Sequence, residues 1–109
     1  MYFGRMSTKR ESQHLRSHTG TEQEPEVFTL SSSDSIDVMA GHSVINVQDN
    51  GEMFTKAFIY VKRGATATIN APSNLRVSVE GGGNVVYRTD NAENGLTDYT
   101  AQGIEIVVG

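Results

Sequence analysis

The chain has 109 residues and a net charge of −4, with no cysteine, no tryptophan and only four phenylalanines and four tyrosines. That is the size of one domain with an extension, and the missing cysteines exclude disulfides, cysteine-based metal sites and thiol nucleophiles. No run approaches the length of a transmembrane helix, so no membrane partner is expected, and the core has to be built from Val, Ile and Ala.

The first stretch is basic and the remainder acidic. Residues 1–20 hold Arg5, Lys9, Arg10 and Arg16 against Glu11, a local +3, which leaves −7 on the rest. Residues 1–26 have few apolar side chains and no regular period, and they end in the turn-prone run Thr21-Glu22-Gln23-Glu24-Pro25-Glu26. They read as an extended basic N-terminal arm and linker, followed by an all-β domain over 27–109. A weak helix from about Ser7 to His18 is the one regular element this stretch supports, with an apolar face of Leu15 and Met6. The N-terminus lacks the apolar core of a signal peptide, so synthesis and residence in the cytosol are expected. Ordering an arm costs conformational entropy, so it needs distributed contacts to hold it. Tyr2, Phe3 and Leu15 are its candidate apolar anchors, and Arg5, Lys9, Arg10 and Arg16 its candidate partners for acidic groups.

The phrase Gln13-His14-Leu15-Arg16-Ser17-His18-Thr19-Gly20 is similar to the helix end and linker of a classical zinc finger. That family needs two upstream cysteine ligands, and two histidines alone do not close a tetrahedral site, so no metal is expected. Four cations give only modest, salt-sensitive phosphate binding, and an acidic body opposes it; specific nucleic-acid recognition is not expected.

From Val27 onward, short runs rich in Val, Ile, Thr and aromatics alternate with Gly, Asn, Asp and Ser. The runs predict strands over Val27–Leu30, Ser35–Met39, Ser43–Gln48, Met53–Lys62, Ala65–Asn70, Leu75–Glu80, Asn84–Thr89, Thr97–Thr100 and Ile104–Val108. Alternation places Leu75, Val77 and Val79 on a core face and Arg76, Ser78 and Glu80 outside. Strands about ten residues apart predict an antiparallel β-sandwich or a jelly-roll-like barrel. The run Met53–Lys62 is apolar on both faces, with Phe54, Phe58 and Tyr60 on one and Ala57, Ile59 and Val61 on the other. Such a strand is expected to be covered twice, by its own domain or by a second subunit, and Phe54, Phe58 and Tyr60 are the candidate contact residues of the body.

The turns carry little chemistry. Asp49-Asn50-Gly51 has the residues of a tight hairpin, and Gly81-Gly82-Gly83 reads as a hairpin tip rather than a phosphate cradle, since no Lys-Ser/Thr or helix follows it. A relay of Ser43, His42 and Asp37 can be drawn, but adjacent strand residues point to opposite faces. The loop Asp90-Asn91-Ala92-Glu93-Asn94 is the nearest approach to a calcium site and lacks its ligand pattern. No cofactor and no enzymatic activity are expected.

The basic arm, the acidic cysteine-free β body and strands such as Gly64-Ala65-Thr66-Ala67-Thr68-Ile69 together resemble, by type, the decoration (cement) and accessory proteins of tailed-phage virions. The resemblance implies a non-enzymatic bacteriophage structural protein, made in the host cytoplasm. It would bind the major capsid protein or another virion protein on the capsid surface and form a homo-oligomer, for instance a trimer. The run from Ala71 to Tyr87 is similar to turns of adhesin head domains built as β-solenoids, but a solenoid should show three or more such units and one is visible. The alternative reading is a stand-alone adhesin-like or carbohydrate-binding β module, with a ligand face of Tyr60, Tyr87, Tyr99 and Arg88.

Overall fold

The computed structural model describes residues 12–49, 56–90 and 103–109, and the backbone of 96–99. Ten strands follow in order: β1 His14–Ser17, β2 Glu26–Leu30, β3 Ser35–Val38, β4 His42–Val47, β5 Ala57–Val61, β6 Thr66–Asn70, β7 Val77–Glu80, β8 Asn84–Thr89, β9 Leu96–Tyr99 and β10 Ile104–Val108. Odd strands form one five-stranded sheet in the order β1-β3-β5-β7-β9, which we call sheet A. Even strands form sheet B in the order β10-β8-β6-β4-β2. Every pairing is parallel.

The molecule is therefore a β-solenoid of five stacked coils, each one strand of sheet A and one of sheet B. This overturns the expected antiparallel sandwich or jelly-roll barrel. The strand positions in the sequence do not decide between the two folds, because an inward-outward alternation looks the same in either. Pairing decides it: each strand pairs with the next but one along the chain, never with its immediate successor.

The bore between the sheets is filled by columns of like residues. Leu15, Ile36, Ile59 and Val79 stack along sheet A. Phe28, Ile45, Ile69, Tyr87 and Ile106 stack along sheet B. Ile36, Val38, Ile45, Ile69, Val77 and Val79 are wholly buried, each worth roughly 1.5–3 kcal/mol relative to exposure. Ala57, Ala65 and Ala67 are also fully buried, which lets the two sheets approach closely.

Corners between the sheets set the repeat. Each turn from an A strand to a B strand carries a glycine with positive φ: Gly20, Gly41, Gly64, Gly81 and Gly103. At Gly81 a Cβ would collide with the carbonyl oxygen of Val61 in the coil below, and at Gly41 with that of Thr19. Those positions need glycine both for the left-handed backbone and for the close approach of successive coils. Gly81-Gly82-Gly83 is thus a coil corner, with the Gly83 amide donating to Val61 O at 2.9 Å, and not a hairpin tip.

The opposite corners are held by side chains. Asp34, fully buried, accepts from the Gln13 and Ser31 amides, each at 2.8 Å, and from Gln13 Nε2 at 3.2 Å. The Gln13 bonds tie the first coil to the second. They place β1 inside the segment read as an arm, and as a strand rather than a helix. On the outer face of sheet B, Asn70 Nδ2 donates to Asn46 Oδ1 at 2.9 Å, a rung of an asparagine ladder between adjacent coils.

Candidate functional site

The bore and corners account for the fold, so functional chemistry is sought on the outer faces. In sheet A the outward residues form two columns, His14-Ser35-Phe58-Ser78 and Arg16-Asp37-Tyr60-Glu80. Phe58 and Tyr60 stand two residues apart on β5 and point the same way, 46% and 39% exposed. Between them and their neighbours lies a shallow cleft of about 220 Å³, floored by the strands at Ile36 and Ile59, whose side chains face the bore, and rimmed by Ser35, Asp37, Ser78 and Glu80.

One end of this face is polar. His14 Nδ1 lies 2.6 Å from Ser35 Oγ, and its Nε2 lies 3.2 Å from Asp37 Oδ2. Arg16 Nη2 stands 3.9 Å from the same carboxylate oxygen. These contacts follow from the parallel register, which sets His14 beside Ser35 and Arg16 beside Asp37. Here the imidazole is 60% exposed, and the arrangement is a surface ladder that fixes the Asp37 carboxylate next to the aromatic pair.

The sequence-derived candidates divide as follows. Tyr2, Phe3, Arg5, Lys9, Arg10 and Phe54 lie outside the described residues. Leu15 is half-buried and packs on the core, whereas Arg16 is exposed on the outer face of sheet A. Phe58 and Tyr60 come together as expected of neighbours on one strand face, and among the described residues nothing covers them. The double cover expected for their strand is therefore absent from the described residues.

The carbohydrate face does not assemble. Tyr87 is wholly buried in the bore, and burial pushes its phenol up to about 12. Arg88 lies on the outer face of sheet B, Tyr60 on that of sheet A, and the Tyr99 side chain is outside the description. The drawn relay is also dispersed. Ser43 is buried in the bore with its Oγ 2.6 Å from Ser17 Oγ, while His42 faces out from sheet B and Asp37 from sheet A.

Two further carboxylates are structural. The Ser17 hydroxyl at 2.7 Å, and then the Thr19 amide, hold Glu26 below its ordinary range. The Ser73 amide does the same for Asp90, the one described member of the suspected calcium loop. Among the described residues no group of three or more His, Asp or Glu is gathered as a metal site would require. His14, Ser35 and Glu80 were missed as parts of one face because their proximity depends on coil register. The visible signal was only the polar-apolar alternation of His14-Leu15-Arg16-Ser17, too short to read as a strand. No protein-family model, curated protein or solved structure matches the chain.

Proposed function

We propose that the protein is a non-enzymatic docking module that seats a protein partner on the outer face of sheet A. The observation that carries this reading is the pair Phe58 and Tyr60, two aromatic side chains exposed side by side over a cleft bordered by Ser35, Asp37, Ser78 and Glu80. Water-facing aromatics on a flat strand surface contribute nothing to the core, and such anchors dominate protein interfaces. Asp37 and Glu80 flank them and complement a partner whose apolar contact residue is bordered by Lys or Arg. The same carboxylates oppose a polyanion.

The virion-shell role implied by the resemblance belongs to this class of docking function. Its β-sandwich premise has gone, and the partner is defined here by chemistry alone. A saccharide ligand is less well supported, because Tyr60, Tyr87 and Arg88, three of the residues assigned to it, lie on three different surfaces of the coil.

The test places a photo-crosslinking phenylalanine analogue at position 58 or, as control, at position 68 on the outer face of sheet B, in the native source. A discrete protein adduct from position 58 alone is expected. The double change Phe58→Ser and Tyr60→Ser should then weaken binding to that protein about 30-fold or more, with an unchanged circular dichroism spectrum. Equal adducts from both positions, or retention on a glycan column that the double variant loses, would overturn the reading.

A further inference from the structure

The two columns on the outer face of sheet A alternate in length as well as in chemistry. One runs His14, Ser35, Phe58, Ser78 and the other Arg16, Asp37, Tyr60, Glu80. The first and third coils thus present long side chains, and the second and fourth shorter ones. Neighbouring strands stand about 4.8 Å apart, so the face is a set of ridges and furrows. Charge is ordered too. Arg16 stands in the first coil, with Asp37 in the second and Glu80 in the fourth, and among the described residues Glu80 forms no ion pair.

We infer that the partner on this face is a second copy of the chain, seated face to face about a two-fold axis parallel to the strands, between β3 and β5. This rests on the docking reading above and names its occupant. The axis reverses the coil order, so the first coil meets the fourth and the second meets the third. Arg16 then faces Glu80 of the other copy, and Tyr60 faces Asp37, each twice. Phe58 faces Ser35, and His14 faces Ser78. Every pair sets a long side chain against a shorter one, as suits two sheets about 10 Å apart.

The aromatics of the two copies lie one coil apart across the axis, Phe58 beside Phe58 and Tyr60 beside Tyr60. That offset suits displaced or edge-to-face stacking. The result is an aromatic centre rimmed by charge pairs, the layout of a protein interface. The surface is complementary to itself, as an isologous contact requires.

Other registers fit worse. An axis on β5 sets Asp37 against Glu80, and an axis on β3 sets Asp37 against its own copy. An axis along the stack opposes Ser35 to Asp37 and Ser78 to Glu80, and covers both carboxylates with no cation opposite them. Like charges face to face, or carboxylates desolvated without a cation, oppose association. The face is roughly 15–20 Å on a side, from five strands of four or five residues. That is below what a permanent dimer buries, so the contact is reversible.

Sedimentation equilibrium of the purified full chain tests this. The mean mass should rise from one chain towards two between about 10 μM and about 1 mM, and stop there. Charge exchange identifies the register. Arg16→Glu alone and Glu80→Arg alone each oppose like charges across the axis and should weaken self-association about 10-fold or more. Mixed in equal amounts, the two variants should associate as well as the native chain, because each carries the charge the other lacks. Both positions are exposed, and each variant should keep the native circular dichroism spectrum. A chain still monomeric at about 1 mM overturns the inference, as does assembly beyond two chains, or a mixture that associates no better than its parts. The docking reading fails separately. If the crosslinker at position 58 captures a different protein in the native source and no second copy in the purified chain, that reading stands and this inference falls. No adduct in either sample removes both.

Discussion

Tyr87→Phe is predicted to make the protein more stable. The phenol oxygen lies in the bore, in the column between Ile69 and Ile106, with no exposure and no hydrogen-bond partner among the described residues. In the unfolded chain the same hydroxyl is hydrated, so folding strips it of water without replacement, at about 1–3 kcal/mol. Phenylalanine keeps the ring and its contacts and removes that penalty, leaving a void of one oxygen atom. A net gain of about 1 kcal/mol is expected, which raises Tm by roughly 4–8 °C for a domain of this size.

The alkaline limb gives an independent reading of the same group. Burial raises the folded phenol from 10.0 to about 12. Since the unfolded chain ionises first, the stability linked to this group is full below pH 10 and is lost as pH rises towards 12, by up to roughly 2–3 kcal/mol. Urea titrations followed by circular dichroism, at neutral pH and in steps above pH 10, measure both effects. The difference between wild type and Tyr87→Phe cancels the other tyrosines. If the variant is destabilised by more than about 1 kcal/mol, or loses stability with pH as steeply as the wild type, the hydroxyl has a partner and the reasoning fails.

Asp34→Ala should cost about 3 kcal/mol, since it leaves the Gln13 and Ser31 amides without their acceptor. Hydrogen exchange should show the loss concentrated in β1, with β5 to β8 protected as before. Gly81→Ala combines positive φ with a backbone collision and should cost more than about 3 kcal/mol, whereas Gly64→Ala, with the same backbone sign but open space, should cost about 1–2 kcal/mol. Chemical denaturation of the pair separates strain from coil contact; equal losses would show that the close approach at Gly81 is unimportant.

Most strands after Glu26 are legible in the sequence, because Ile36, Val38, Ile45, Ile69, Val77 and Val79 alternate with polar residues as half-buried strands must. The stacking is not, since alternation carries no information on which strand lies beside which. The offset between register partners ranges from 17 residues, Val27 to Val44, to 24, Ile45 to Ile69. Loops of unequal length thus break the fixed period by which a solenoid is recognised. The glycines at 20, 41, 64, 81 and 103 recur once per coil, because one column of corners imposes the same left-handed backbone each time, but their spacing is as uneven as that of the strands. β1 was hidden for another reason. Its inward residues are Leu15 and Ser17, and Ser17 is stable there only through its bonds to Glu26 and Ser43, which no local pattern reveals.

The contrast between the two outer faces bears on function more than the fold does. Along sheet B the two longest outward columns read Val27, Val44, Thr68, Val86, Glu105 and Thr29, Asn46, Asn70, Arg88, Val107, beside a shorter one of His42, Thr66 and Asn84. Most of these are β-branched residues and a laddering asparagine pair, side chains favoured by the strand itself. Along sheet A each coil carries different chemistry: histidine with arginine, then serine with aspartate, then two aromatics, then serine with glutamate. Neither β-propensity nor like-on-like stacking selects that order, and two exposed aromatics on one coil are a liability to solubility. A surface that departs from what the fold favours, while the opposite surface follows it, is where a partner has the most to recognise. Exchanging the sheet A columns for threonine should therefore leave stability within about 1 kcal/mol while removing the crosslink from position 58.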